Sequence, residues 1–157
     1  VSGQLKMGES GSGRIVMEVK RKAMEIARKE NAELILVDSA AGIGCPVIAS
    51  INGSDYVIAV TEPTPSALSD LKRGLKIVNH FGIPCGIVIN KYDINKGFSN
   101  KIEKFANKNK IPILGKIPYN KEFVEALVNL RPAVVYNKRF EPQFIRILDN
   151  LKKSYEI

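Results

Sequence analysis

The chain has 157 residues, enough for a single domain with a sizeable core. Apolar residues make up 45% and charged residues 25%, which excludes disorder, and no apolar run approaches the ~20 residues needed to span a bilayer. The balance of 24 basic to 16 acidic residues, net +8, raises nucleic acid, an anionic membrane and phosphate ligands as partners.

The basic excess is uneven. From Lys96 to Lys121 there are seven Lys and one Glu. No aromatic stacking pattern or nucleic-acid recognition motif accompanies them, so the run reads as solvated surface. Neither nucleic acid nor membrane is expected as a partner. Cys45 and Cys85 match no C-x-x-C spacing, which argues against a disulfide framework or a zinc site. Two reduced thiols fit a cytoplasmic protein. The start, Val1-Ser2-Gly3-Gln4, lacks the basic and apolar regions of a signal peptide, and lacks an initiator Met, as expected of a processed or trimmed chain.

Taken in chain order, Arg14–Asn31 has Val16, Val19, Ala23, Ile26 and Ala27 at helical spacing, with Lys20, Arg21 and Lys22 between them. Glu33–Asp38 is short, apolar and unalternating, which predicts a strand buried on both faces of a parallel sheet. A loop with Gly42 and Gly44 follows, then a short helix over Pro46–Ile51. Asp55–Thr61 predicts a second strand. Ser66–Phe81 predicts a helix, capped by Ser66 and stopped at Gly82 and Pro84. Strands are expected over Pro84–Asn90 and Ile111–Ile117, and helices over Ser99–Asn109 and Lys121–Leu130. Val134–Tyr136 reads as a short strand and Pro142–Tyr155 as the last helix.

Apolar strands alternating with amphipathic helices imply one α/β domain over residues 1–157, built on a doubly wound, mostly parallel sheet. Ligands of such sheets bind beyond the carboxyl ends of the strands. The residues there are Asp38 with its glycine loop, Thr61-Glu62-Pro63, Asn90-Lys91-Tyr92-Asp93 and Pro118-Tyr119-Asn120.

Asp38-Ser-Ala-Ala-Gly42 is an acidic residue ending an apolar run before a glycine loop. This is the Walker B and switch arrangement, in which the carboxylate holds Mg²⁺ directly or through water and a Gly amide meets a γ-phosphate. The plainer reading is an Asp capping a turn. Asn90-Lys91-Tyr92-Asp93 matches N-K-x-D, in which Asn meets the purine N7 and exocyclic group, the Lys stem packs over the base, and Asp accepts the N1–H and N2–H of guanine. Its plainer reading is a polar strand-to-helix turn. Gly8–Ile15 has the spacing of a phosphate loop, but Arg14 replaces the Lys and Ile15 the Mg²⁺-binding hydroxyl. It reads as a flexible loop opening the first helix. His80 near a helix end is an ordinary C-terminal residue. Cys45 reads as a small loop residue, and the apolar face of the C-terminal helix as a docking face.

Together these pieces resemble the MinD/ParA/Mrp class of deviant P-loop ATPases, most nearly the branch with an inserted ferredoxin-like domain. The resemblance rests on Gly8-Glu9 with Ser12-Gly13-Arg14, Asp38 through Ser50, Val60–Thr64, His80–Pro84, Val88–Asp93 and Gly115–Pro118. It implies that Asp38 organises the Mg²⁺ shell, that Gly42 senses the γ-phosphate, that Asn90 contacts the base and that Pro118, Tyr119 and Asn120 line the adenine. It implies ATP and Mg²⁺ as cofactors, and an ATP-dependent dimer acting as a regulated switch. Two departures stand out. Ala40-Ala41 replaces a Pro-Pro pair common in relatives. The deviant Walker A, first strand and first helix have no counterpart, nor do the cysteines of the insertion, so an iron–sulfur cluster would belong only to that upstream insertion. The chain thus resembles the C-terminal half of such an ATPase, as a fragment or a split subunit that a homodimer or another partner completes. Two alternatives stay open: a GTP-binding protein reading guanine through Asp93, and a non-catalytic interaction module of the same fold.

Overall fold

Three apolar runs bounded by turn-forming residues become strands: β1 (Val57–Thr61), β2 (Cys85–Asn90) and β3 (Ile113–Ile117). The computed structural model, which describes residues 1–3 and 11–155, pairs them in parallel in the order β1–β2–β3. Thr61 stands opposite Ile89, and Asn90 opposite Ile117, so the carboxyl ends of all three strands lie level. Parallel neighbours need long crossovers. These are supplied by α3 (Pro65–His80) and α4 (Lys96–Lys108).

Local side chains set the helix boundaries. The Thr64 hydroxyl accepts the Ala67 N–H at 3.2 Å, so Thr64 rather than Ser66 caps α3. Asn95 accepts the Phe98 N–H at 3.0 Å, so α4 starts three residues before Ser99. Gly82, at a φ of +65°, ends α3 as expected. The N–H groups of Gly82 and Ile83 then donate to Asn79 and Val78, closing the orphan carbonyls.

The strand pleat distributes the core over two faces. Ile87 and Ile89 point to one face, where Leu71 and Leu75 of α3 and Ile102 and Ala106 of α4 cover them. Val88, Leu114 and Ile117 lie under Phe123, Phe144, Ile147 and Leu151 on the other. These four come from α5 (Glu122–Val128) and α7 (Glu141–Tyr155). Each fully buried Ile contributes about 2–3 kcal/mol. Helices on both faces of a parallel sheet make this the doubly wound α/β architecture that the sequence implied.

The amino-terminal part is attached more lightly. The first helix, α1 (Ser12–Glu30), has no buried residue. It is tied to α2 (Cys45–Ile51) by Lys20, whose ammonium donates to the carbonyls of Ser50 and Asn52 at 2.7 Å each. Burial lowers the pKa of Lys20. The α2 residues Val47 and Ile51 pack against Val78 of α3. Gly8, Glu9 and Ser10 of the phosphate-loop mimic lie outside the described residues, whereas Ser12–Ile15 form the first turn of α1.

Two expected strands are absent. Glu33–Asp38 has no regular secondary structure, and Leu34 and Leu36 are 68% and 83% exposed. A strand needs a ladder partner, and no described residue forms a backbone hydrogen bond with this run. Val134–Tyr136 lies in a one-turn helix, α6 (Ala133–Tyr136). Its Val135 and Tyr136 N–H groups both donate to Pro132, and no strand lies alongside to compete for them. No helix of the described residues is long and apolar enough to cross a membrane.

Candidate functional site

The level carboxyl ends of the strands bring three loops side by side. After β1 come Glu62 and Pro63, the latter fully buried. β2 ends in Asn90, whose side-chain carbonyl accepts the Lys91 N–H at 3.0 Å. This local bond fixes the Asn90 amide plane. No described residue accepts from its Nδ2, which is left to donate outward. Lys91 adopts a left-handed backbone at a φ of +51°, turning the chain sharply as it leaves the sheet.

Two contacts bolt the β2 loop to its neighbours. The Lys91 ammonium lies 2.7 Å from the Glu62 carboxylate, across to the β1 loop. The Tyr119 N–H donates to Asp93 Oδ1 at 2.7 Å, across to the β3 loop. Beneath them, the Tyr92 N–H donates to the Ile117 carbonyl at 3.2 Å. The Ser99 hydroxyl, from the first turn of α4, donates to the Tyr92 carbonyl at 2.6 Å and is itself buried. Lys116 sits 5.4 Å from the centre of the Tyr92 ring and pairs with Glu103 at 3.1 Å. Asn120 turns back to accept the Glu122 N–H at 2.9 Å, starting α5. Tyr119 is half exposed above this floor.

Six of the eight expected site residues are therefore gathered at one edge: Asn90, Lys91, Asp93, Pro118, Tyr119 and Asn120. Asp38 and Gly42 are not joined to them by any hydrogen bond or ion pair among the described residues. Both are exposed, in the stretch without regular structure between α1 and α2. Gly42 has a φ of +106° with open space where a Cβ would stand, a conformation that favours glycine for backbone rather than steric reasons. Glu62 was placed past a strand end in the sequence but given no role there, and its pairing with Lys91 was not foreseen. The signal was a carboxylate just past one strand facing a lysine just past the next, which only the strand register makes adjacent.

The edge can be tested against the two groups its motifs suggest. Toward a purine, the edge presents the Asn90 amide, whose Nδ2 has no acceptor among the described residues, beside Pro118, Tyr119 and Asn120, which are partly to largely exposed. A magnesium ion has no complete protein site, since no cluster of three or more His, Cys, Asp or Glu occurs among the described residues. Asp38 would be one carboxylate in a shell otherwise made of phosphate oxygens and water.

Comparison with known proteins identifies the family and the fold. The family described as the CobQ/CobB/MinD/ParA nucleotide binding domain matches residues 9–133. An uncharacterized protein of Methanocaldococcus jannaschii is 35% identical over 137 residues, covering 87% of this chain and 45% of its own length. A flagellum site-determining protein of Helicobacter pylori is 47% identical over 45 residues, covering 29% of this chain and 15% of its own. Among solved structures, the cell division ATPase MinD of Pyrococcus furiosus superposes with a TM-score of 0.72 at 22% identity, covering 90% of this chain and 58% of that one. The septum site-determining protein MinD of Pyrococcus horikoshii, complexed with Mg-ADP, gives a TM-score of 0.68 at 23% identity, covering 85% and 56%. The chain spans less than half the length of the curated relatives it matches. With the family model matching residues 9–133, most of its length, the chain belongs to the CobQ/CobB/MinD/ParA nucleotide-binding domain family.

Proposed function

We propose that this chain is the base-binding part of a MinD-like, Mg-ATP-dependent switch ATPase. The observation that carries the reading is the shelf at the sheet's carboxyl edge, where Asn90 and Pro118–Asn120 are held together by the Asp93–Tyr119 bond. In this reading Asn90 donates to the purine N7, while Pro118, Tyr119 and Asn120 line the ring. Asp38 and Gly42, exposed in the stretch between α1 and α2, form the other side of the site in this reading. They close on the magnesium shell and the γ-phosphate only when a phosphate-binding segment is in place.

That segment would come from outside the 157 residues, which contain no G-K-G-G-x-G-K-T run. Two features support such a completion. β1 is an edge strand with Ile58 and Val60 exposed, Val60 to 64%. The Glu33–Asp38 run has strand-like composition and no ladder partner among the described residues. An apolar edge of this kind is covered by another strand in a stable assembly. A homodimer or a partner bearing the missing half would serve. The two free thiols, Cys45 and Cys85, agree with a reducing, cytoplasmic setting. Any iron–sulfur cluster would reside in that other half.

Adenine is preferred over guanine in this reading, because Asp93 is already engaged by the Tyr119 N–H. Competition of a labelled ATP analogue with ATP and with GTP, on the longer protein, tests it. Displacement by ATP at lower concentration than by GTP is expected. Stronger displacement by GTP would make Asp93 a guanine reader and overturn the ATP assignment.

A further inference from the structure

Lys91 and Asp93 occupy the two positions where the N-K-x-D pattern places base contacts, yet both are turned away from that task. A guanine reader must turn both carboxylate oxygens to the base edge, to meet N1–H and N2–H together. Here Oδ1 of Asp93 faces the backbone of the next loop, 2.7 Å from the Tyr119 nitrogen. Lys91 is engaged at its head, which leaves only its stem for packing. Its ammonium reaches sideways to Glu62 at 2.7 Å, from a left-handed backbone that directs it there. Each contact joins the β2 loop to a different neighbour, and neither duplicates the hydrogen bonds of the sheet below.

We infer that Lys91, Asp93 and Glu62 are positioning residues that clamp the loops after β1, β2 and β3 into one shelf, leaving base contact to Asn90 and Pro118–Asn120. This deepens the nucleotide reading above and rests on it for its consequence, but the clamp is a property of the chain itself. Its chemistry separates two substitutions at one position. Asp93→Asn keeps an oxygen to accept the Tyr119 N–H and loses the carboxylate that guanine needs. Asp93→Ala loses both. A clamp tolerates Asn and suffers from Ala, for either purine. A guanine reader fails with Asn, for guanine alone.

The first arm of the test needs no nucleotide. Amide hydrogen exchange of the full 157-residue chain is followed by NMR in the unaltered, Asp93→Asn and Asp93→Ala forms. Asp93→Ala should speed exchange at Tyr119 roughly tenfold, as expected for loss of a hydrogen bond to a charged acceptor, and Asp93→Asn should restore much of the protection. An unchanged Tyr119 rate in Asp93→Ala, with the sheet amides intact, would overturn the clamp. In the second arm the same proteins are titrated with millimolar ATP and GTP. Asp93→Ala should weaken both by a common factor, and Asp93→Asn should leave their ratio unchanged. Glu62→Gln should weaken both about two- to five-fold, the range of an exposed ion pair. A selective loss of GTP binding in Asp93→Asn would overturn the inference. Binding of neither nucleotide by the unaltered chain would follow from its missing phosphate cradle, and the exchange arm then decides the clamp alone.

Discussion

Two regions of the molecule carry equally apolar strand sequences and end differently. Cys85–Asn90 and Glu33–Asp38 are six-residue runs that both read as strands buried in a parallel sheet. The first becomes β2, with Gly86 through Ile89 buried between β1 and β3 and between two layers of helices. The second remains without regular structure, with Leu34 and Leu36 mostly exposed. The difference is not in propensity. It is whether each run finds ladder partners, because backbone polar groups and an apolar side-chain row are satisfied only together. The closed region is thus a finished scaffold that holds the Asn90 and Tyr119 shelf. The open stretch between α1 and α2 holds Asp38 and Gly42, both exposed.

The comparison can be broken most sharply at Asp38. In the complete protein, Asp38→Asn should abolish most ATP turnover, since lost magnesium positioning costs several kcal/mol of transition-state stabilisation. Thermal unfolding should shift little, because Asp38 is exposed. Steady-state turnover beside a melting curve checks both halves. Normal hydrolysis by a well-folded variant would remove Asp38 from the site.

A pair of core substitutions sharpens the same contrast. Ile89→Ala should destabilise the chain by about 3 kcal/mol, because Ile89 is fully buried against α3 and α4. Leu36→Ala should change stability by less than about 0.5 kcal/mol in the 157-residue chain. Urea unfolding of the two variants measures this. A comparable cost at Leu36 would mean that the open region is already packed.

How much of this was legible in the sequence follows the same line. The helices other than α6, and the strands β1, β2 and β3, were readable because periodicity and Gly or Pro stops agreed, although the caps of α3 and α4 lie at Thr64 and Asn95 rather than where the sequence placed their starts. That Asn90 and Pro118–Asn120 would lie together was readable because residues past the ends of parallel strands share one edge of the sheet. The Glu33–Asp38 strand was misread because composition reports what a run could pair with, not whether a neighbour exists. The Val134–Tyr136 strand was misread because three β-favouring residues follow Pro132, which serves here as a helix start. The Glu62–Lys91 pair required the strand register. The Asp93–Tyr119 bond has a backbone donor and leaves no mark in the sequence.

The two thiols give a smaller contrast. Cys45 is exposed at the start of α2, whereas burial raises the pKa of Cys85 and reduces its thiolate at neutral pH. A thiol reagent at neutral pH should therefore modify Cys45 first, with Cys85 following only slowly. Time-resolved mass spectrometry with peptide mapping reads the order. Faster modification of Cys85 would show that the β1–β2 packing opens readily.

The central claim is that the chain carries a base shelf without a phosphate cradle. Affinity in such sites rests on a nest of backbone N–H groups, a Lys and a helix N-terminus around the phosphates. Arg14 and Ile15 stand where the Lys and the hydroxyl would be needed. Calorimetric titration of the purified 157-residue chain with Mg-ATP, coupled to a phosphate-release assay, is the most direct test. The expected result is weak binding or none, and no turnover. Micromolar binding with measurable hydrolysis would contradict it, and would make the segment leading into α1 a working phosphate site.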